Sequence, residues 1–185
     1  MIDMVDHMVL DMVFKELDQA PNIRLAMNVS NLTTDNPHWL RHFQGLLRNR
    51  PDIASRLIIE ITETAAHRDM RRTAYFVASM QEMGCTVALD DFGSGYTSFR
   101  QLKALSVDMV KIDGSFVKDM TENSDNHFFV KTLLDFTRCF GLESVAEFVE
   151  TGETAKALME LGVDYQQGYY FGKPENFRSW LTTKD

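Results

Sequence analysis

Apolar residues recur along this chain with two periods. Over residues 4–18, Met4, Val5, Met8, Val9, Met12, Val13 and Leu17 are spaced by threes and fours, the stripe of an amphipathic helix. Pro21 and Asn22 end it. Short apolar or β-branched runs then alternate with further helical patterns. Strands are predicted over 24–30, 57–63, 86–90, 107–113, 143–147 and 164–168. Between them, helices are predicted over 37–49, 69–83, 98–105, 126–140 and 153–161, with a last one over 175–181. Asp35 or Asn36 is the expected cap of the second helix, with Pro37 at its first position. Gly84, Gly141 and Gly162 close three of the others.

Regular strand–helix alternation with buried-type strands means an α/β fold with a parallel sheet and right-handed crossovers. Two architectures fit, an open doubly wound sheet and a barrel. A complete eight-stranded barrel takes ~250 residues. This chain has 185 residues and six predicted strands, which matches about three quarters of one. No linker, low-complexity stretch or tandem repeat divides it, so residues 1–185 read as one domain.

The chemistry lies where the strands end. Every predicted strand delivers a polar side chain at or near its C-terminal end: Asn28; Glu60, with Glu63; Asp90 and Asp91; Lys111, with Asp113; Glu147; and Gln167. That end is the functional face of a parallel barrel. The densest part is 87–98, where an apolar strand hands two adjacent carboxylates to a turn holding Gly93 and Gly95. Side chains alternate along a strand, so Asp90 and Asp91 converge only if the chain bends; the glycines just after them are the expected bend. A solvated acidic turn is the plain alternative for this stretch taken alone. Glu60, Asp90, Asp91 and Glu147 are hard oxygen donors, and Asn28 adds an amide carbonyl. Such a set suits Mg²⁺, Mn²⁺ or Ca²⁺ rather than Zn²⁺, and none of the five histidines sits at a strand end. These donors exceed what one water-keeping Mg²⁺ needs. A pair of ions bridged by one carboxylate, as in phosphoryl displacement, would use them. Lys111 is the one cation of the set, placed to orient a water or to neutralise developing charge. A structural ion pair and a Schiff base are its alternatives.

Composition removes other classes. A net charge of −8 argues against a general binder of duplex nucleic acid. Cys85 and Cys139 lie in no ligand spacing and make no disulfide framework. No apolar run approaches a membrane span, and the N-terminus is acidic where a signal peptide is basic, so a cytoplasmic setting is expected.

At these residues the chain resembles the EAL domain family, metal-dependent phosphodiesterases that open cyclic di-GMP to linear pGpG. Asn28-Val29-Ser30, Glu60-Ile61-Thr62-Glu63, Asp90-Asp91-Phe92-Gly93, Lys111-Ile112-Asp113, Ala146-Glu147-Phe148-Val149-Glu150-Thr151 and Gln167-Gly168-Tyr169 with Pro174 are similar to the family's successive motifs. The resemblance implies a TIM-barrel-like fold and two Mg²⁺ or Mn²⁺ ions. Asn28, Glu60 and Asp90 would hold the first ion, with Glu147 in the same ligand set. Asp90 would bridge to a second ion held by Asp91. Lys111 and Glu147 would surround the catalytic water, with Asp91 also in the catalytic set. Gln167 and Asp113 would support the site or the substrate. Glu63 would anchor the Asp90-Asp91-Phe92-Gly93 loop, through which the family couples dimerisation to metal binding.

Two departures stand out. Phe148 replaces the family's usual Gly, and nothing before Asn28 resembles the Glu-Ala-Leu strand that names the family. The expectation is therefore six of about eight strands, with the first two absent, two open sheet edges, and a homodimer or an upstream segment of a longer signalling protein as partner. Impaired hydrolysis is expected for such a chain. The alternative is a catalytically inactive cyclic di-GMP receptor or protein-interaction module.

Overall fold

The computed structural model describes residues 2–34, 36–93 and 99–175. Helix α1 (Ile2–Gln19) leads into strand β1 (Leu25–Asn28). Three helices, α2 (Asn31–Thr34), α3 (Pro37–Leu47) and α4 (Pro51–Ala54), come before β2 (Leu57–Thr62). Helices α5 (Glu63–Arg68) and α6 (Met70–Glu82) precede β3 (Thr86–Phe92), and α7 (Phe99–Leu105) precedes β4 (Met109–Ile112). Helices α8 (Gly114–Val117) and α9 (Ser124–Phe140) lead to β5 (Glu143–Ala146), and α10 (Gly152–Leu161) to β6 (Tyr165–Gln166).

The six strands form one parallel sheet in sequence order, β1-β2-β3-β4-β5-β6, each pairing with the next. That order is a curled, barrel-like α/β sheet in which every crossover runs the same way. Asn36 caps α3: its side-chain oxygen accepts hydrogen bonds from the amides of His38 (2.9 Å) and Trp39 (3.3 Å), while Asp35, the other expected cap, lies outside the described residues. Four helices of four to six residues, α2, α4, α5 and α8, have no counterpart in the sequence reading, because so short a turn leaves no periodic stripe. The last two strands are shorter than expected, β6 having two residues. Their hydrogen bonding continues past the strand ends, with the Gln167 amide donating to the Ala146 carbonyl at 2.9 Å. The helix expected over 175–181 falls almost wholly outside the described residues.

Strand alternation sorts side chains into two cores. One face of the sheet turns Met27, Leu57, Ile59, Ile61, Val87, Leu89, Val110, Ile112 and Ala146 against the helices. The opposite face carries a smaller apolar layer of Ala88, Met109 and Val145 with Ile58. Below that layer, at the strands' N-terminal ends, Arg24 donates to the Tyr165 hydroxyl (3.4 Å) and to Thr86 (3.2 Å). Arg24 thus links the β1 end of the sheet to the β6 end. Above the layer come the polar strand ends.

Trp39 anchors the helix layer. It is fully buried, stacked on Phe43 with ring centroids 5.0 Å apart, and its indole N–H has no hydrogen-bond partner among the described residues. Trp39→Ala is expected to cost about 3–5 kcal/mol in chemical denaturation. Trp39→Phe should cost far less, because it keeps most of the ring volume and removes the unsatisfied donor.

Candidate active site

The inner face of the sheet continues upward into a layer of charge. Glu60 lies two residues beyond Ile58, Asp90 two beyond Ala88, Lys111 two beyond Met109 and Glu147 two beyond Val145, so the two-residue repeat of a strand sets all four on the same side. Lys111 sits at their centre. Its Nζ is 2.8 Å from Glu147 Oε1, 2.9 Å from Asp90 Oδ1 and 3.1 Å from Glu60 Oε1. Lys111, Glu60 and Asp90 are all buried, at 4, 7 and 8 % exposure, which makes these ion pairs much stronger than surface ones.

Asp90 and Asp91 do converge, and the bend takes in Asp91 and the first of the two expected glycines, Gly93, whose φ is 101°; Gly95 lies outside the described residues. Between Leu89 and Phe92 the register of β3 against β4 shifts, three steps along β3 matching two along β4. Asp91 itself takes the left-handed φ of 58°. A bulge of this kind re-aims a side chain at a strand's end. As a result one oxygen each of Asp90, Asp91 and Glu147 lie within 4.8 Å of one another. The same backbone conformation recurs on β5's side of the site, where Phe148, directly after Glu147, has φ 55°.

Burial raises the pKa of Glu60, Glu147 and Asp91, and the neighbouring carboxylates add to it, while Lys111 works against it. For Lys111 burial, the largest influence, favours the neutral amine. The hydrogen bonds to Glu147 and Asp90 and the charges of Glu60 and Glu147 outweigh it, so the ammonium is held well above its ordinary range. Three carboxylates therefore share one lysine, and a fourth, Asp91, stands beside two of them. That surplus of oxygen donors and negative charge fits divalent cations and gives a neutral or anionic ligand no counter-charge of its own.

The other sequence candidates are placed as follows. Asn28 ends β1 directly beside Glu60, its register partner, and is exposed. Asp113 caps α8, accepting from the Ser115 amide at 2.7 Å, and its charge acts on Asp91. Glu63 is buried at the start of α5, and its charge also acts on Asp91. Of the Asp-Asp-Phe-Gly loop that Glu63 was expected to anchor, residues 94–98 lie outside the described residues. Gln167 lines a cavity of about 140 Å³ with Glu147, Phe148, Glu150, Gly168 and Tyr169. Phe148 stood out in the sequence only as a departure, and no periodicity or motif marked Glu150 as a wall of this cavity. A wider cavity of about 660 Å³ lies at the strands' other ends, among Arg24, Thr86, Asp108 and Glu143, away from the carboxylates.

Comparison with known proteins agrees with this geometry. The chain is 36 % identical over 157 residues to the cyclic di-GMP phosphodiesterase PdeF of Escherichia coli (strain K12), covering 85 % of this chain and 21 % of that protein. It is 42 % identical over 130 residues to the cyclic di-GMP phosphodiesterase PdeB of Shewanella oneidensis, covering 70 % of this chain and 15 % of PdeB. The chain thus spans about a fifth or less of the length of these curated relatives. Among solved structures, the PaMucR phosphodiesterase in complex with c-di-GMP superposes with a TM-score of 0.83 at 27 % identity, over 93 % of this chain and 73 % of that one. The EAL domain of Mycobacterium smegmatis DcpA superposes with a TM-score of 0.76 at 33 % identity, over 83 % of this chain and 69 % of that one. The EAL domain model matches residues 1–174, through every strand that carries one of the polar ends, and the chain belongs to the EAL domain family.

Proposed function

We propose that this chain carries a phosphodiesterase site that opens cyclic di-GMP to linear pGpG with two divalent metal ions, Mg²⁺ or Mn²⁺. The observation that supports it most is the convergence of Glu60, Asp90, Asp91 and Glu147 around Lys111 at one end of the sheet. Asn28, Glu60, Asp90, Asp91 and Glu147 are the ligand set in this reading. Bound there, the ions would activate a water and draw charge from the phosphodiester. Lys111 holds a fixed positive charge where negative charge develops in the transition state, and its three carboxylate partners fix its position. Glu147, between Lys111 and the Gln167 cavity, orients the water's proton. Gln167 and Asp113 support the substrate side, and Glu63 the Asp90-Asp91-Phe92-Gly93 loop. In this reading residues 1–185 are one domain acting in the cytoplasm; among the described residues no helix is long and apolar enough to cross a membrane.

The test is incubation with cyclic di-GMP and Mg²⁺ or Mn²⁺, with products separated by chromatography. Linear pGpG appearing only with metal is the expected result. Tight binding of cyclic di-GMP without product would replace the enzyme by a receptor.

The partner of this reading is a second copy or an upstream segment of a longer chain. Among the described residues strands β1 and β6 each have one neighbour in the sheet, and Tyr165, Tyr169, Tyr170 and Phe171 at β6 and just after it are 42–58 % exposed. Open edges with apolar surroundings pair with other chains. Light scattering across a dilution series is expected to show a mass that grows with concentration. A monomer at every concentration with one sharp unfolding transition would remove self-association.

A further inference from the structure

We infer that Phe148 is a stacking platform for one nucleobase of the substrate, held at the rim of the site in a left-handed backbone conformation. The inference rests on the phosphodiester reading above and goes beyond it, because the family's usual residue here has no side chain.

Three observations meet at this residue. Phe148 has φ 55°, in the left-handed region that disfavours a bulky L-residue and costs a glycine nothing. The residue is 58 % exposed, so burial does not repay that conformation. The ring is nevertheless seated: a Cβ built on Gly114 would lie 2.2 Å from Phe148 Cδ2 and 2.5 Å from its Cγ, so the aromatic rests directly on the Gly114 backbone at the start of α8. An aromatic that is strained, exposed and held in place adds little to the fold by itself. Backbone outliers of this kind gather at ligand sites.

The surroundings define what the ring meets. Phe148 lines the 140 Å³ cavity with Tyr169, Gln167, Glu150 and Glu147. Pockets for whole drug-sized ligands run to roughly 300–1,000 Å³, so this one suits a single planar ring. Two aromatic residues and two carboxylates line it. Carboxylates accept hydrogen bonds, which favours a ring edge that donates, such as the N–H and amino group of guanine. Glu147 belongs both to this cavity and to the Lys111 cluster, so a base on Phe148 would set its phosphodiester beside the carboxylates.

The test compares wild type, Phe148→Gly and Phe148→Tyr. Binding of cyclic di-GMP and of GMP is measured by calorimetry with Ca²⁺ present to supply the counter-charge, unfolding is followed by heat, and turnover is measured with Mn²⁺. Loss of base stacking is expected to weaken binding of both nucleotides in Phe148→Gly by roughly 10- to 100-fold. The same variant should unfold at a temperature higher by a few °C, since the strain is gone. Phe148→Tyr should bind like wild type, and KM should rise in Phe148→Gly more than kcat falls. Equal binding by wild type and Phe148→Gly overturns the stacking role alone, provided that wild type turns over cyclic di-GMP. A lower unfolding temperature in Phe148→Gly also overturns it, by making the ring structural. Wild type that neither binds nor hydrolyses cyclic di-GMP removes the phosphodiesterase reading and this inference with it.

Discussion

Asp90→Asn is expected to reduce hydrolysis of cyclic di-GMP by on the order of 10³-fold and to remove most of the stabilisation by Mg²⁺ or Mn²⁺. The reason is position. Asp90 is the carboxylate that meets Lys111 at 2.9 Å and also belongs to the Asp90–Asp91–Glu147 group within 4.8 Å. In the two-ion reading it faces both ions, so one lost charge weakens both sites. The metal-free protein should not suffer, because the cluster of four carboxylates and one lysine then carries one negative charge fewer. The signature is thus lost activity and a lost metal-induced rise in unfolding temperature, with an unchanged or slightly higher unfolding temperature in EDTA. Glu160→Gln, which removes an exposed carboxylate from α10, serves as the control and should change none of these readouts. Equal effects of the two substitutions would place the site elsewhere.

Lys111→Met produces the opposite pattern in stability. Removing the lysine leaves Glu60, Asp90 and Glu147 without their shared partner. Breaking one side of a buried ion pair costs about 3–5 kcal/mol, and here the remaining carboxylates also repel one another. Metal-free Lys111→Met should therefore unfold well below wild type, and added Mn²⁺ should restore more stability to the variant than it adds to wild type. Activity is expected to stay at least ~10²-fold down even with metal, because the fixed cation opposite the developing charge is gone. Thermal unfolding against Mn²⁺ concentration, set beside turnover, measures both effects. Full activity on saturation with metal would reduce Lys111 to a structural counter-ion, which its three ion pairs already make it in part.

The opposed stabilities also separate the site's two roles. Carboxylate removal relieves a charge surplus, whereas lysine removal worsens it. A receptor without turnover would show the same stability pattern, so only the activity arm distinguishes catalysis from binding.

Much of this was written in the chain at short range. The two-residue alternation of a strand puts Glu60 on one side with Ile58 and Lys111 on one side with Met109, and the structure shows that side to be the one opposite the main core. Parallel strands joined by helices end at the same edge, so local spacing alone collects Asn28, Glu60, Asp90, Lys111, Glu147 and Gln167 at one end of the sheet. Oxygen-rich residue types then select the class of ion. All of these follow from neighbours in sequence and from rules that hold for any parallel sheet.

The tertiary structure decided what depends on register and torsion between distant segments. The bulge at Asp90–Asp91 exists because β3 and β4 fall out of step; the sequence pointed to the bend through Gly93 and Gly95, of which Gly93 does take a left-handed φ, but not to the bulge before it. That Lys111 spans three carboxylates follows from how β2, β3 and β5 are set against β4, which no local pattern encodes. Phe148 reads in the sequence as a substitution for glycine. Its backbone angle and its seat on Gly114, 34 positions earlier, come only from β4 and β5 lying side by side. Short-range periodicity fixes which face a side chain takes; pairing between strands fixes which other charges and rings it meets there.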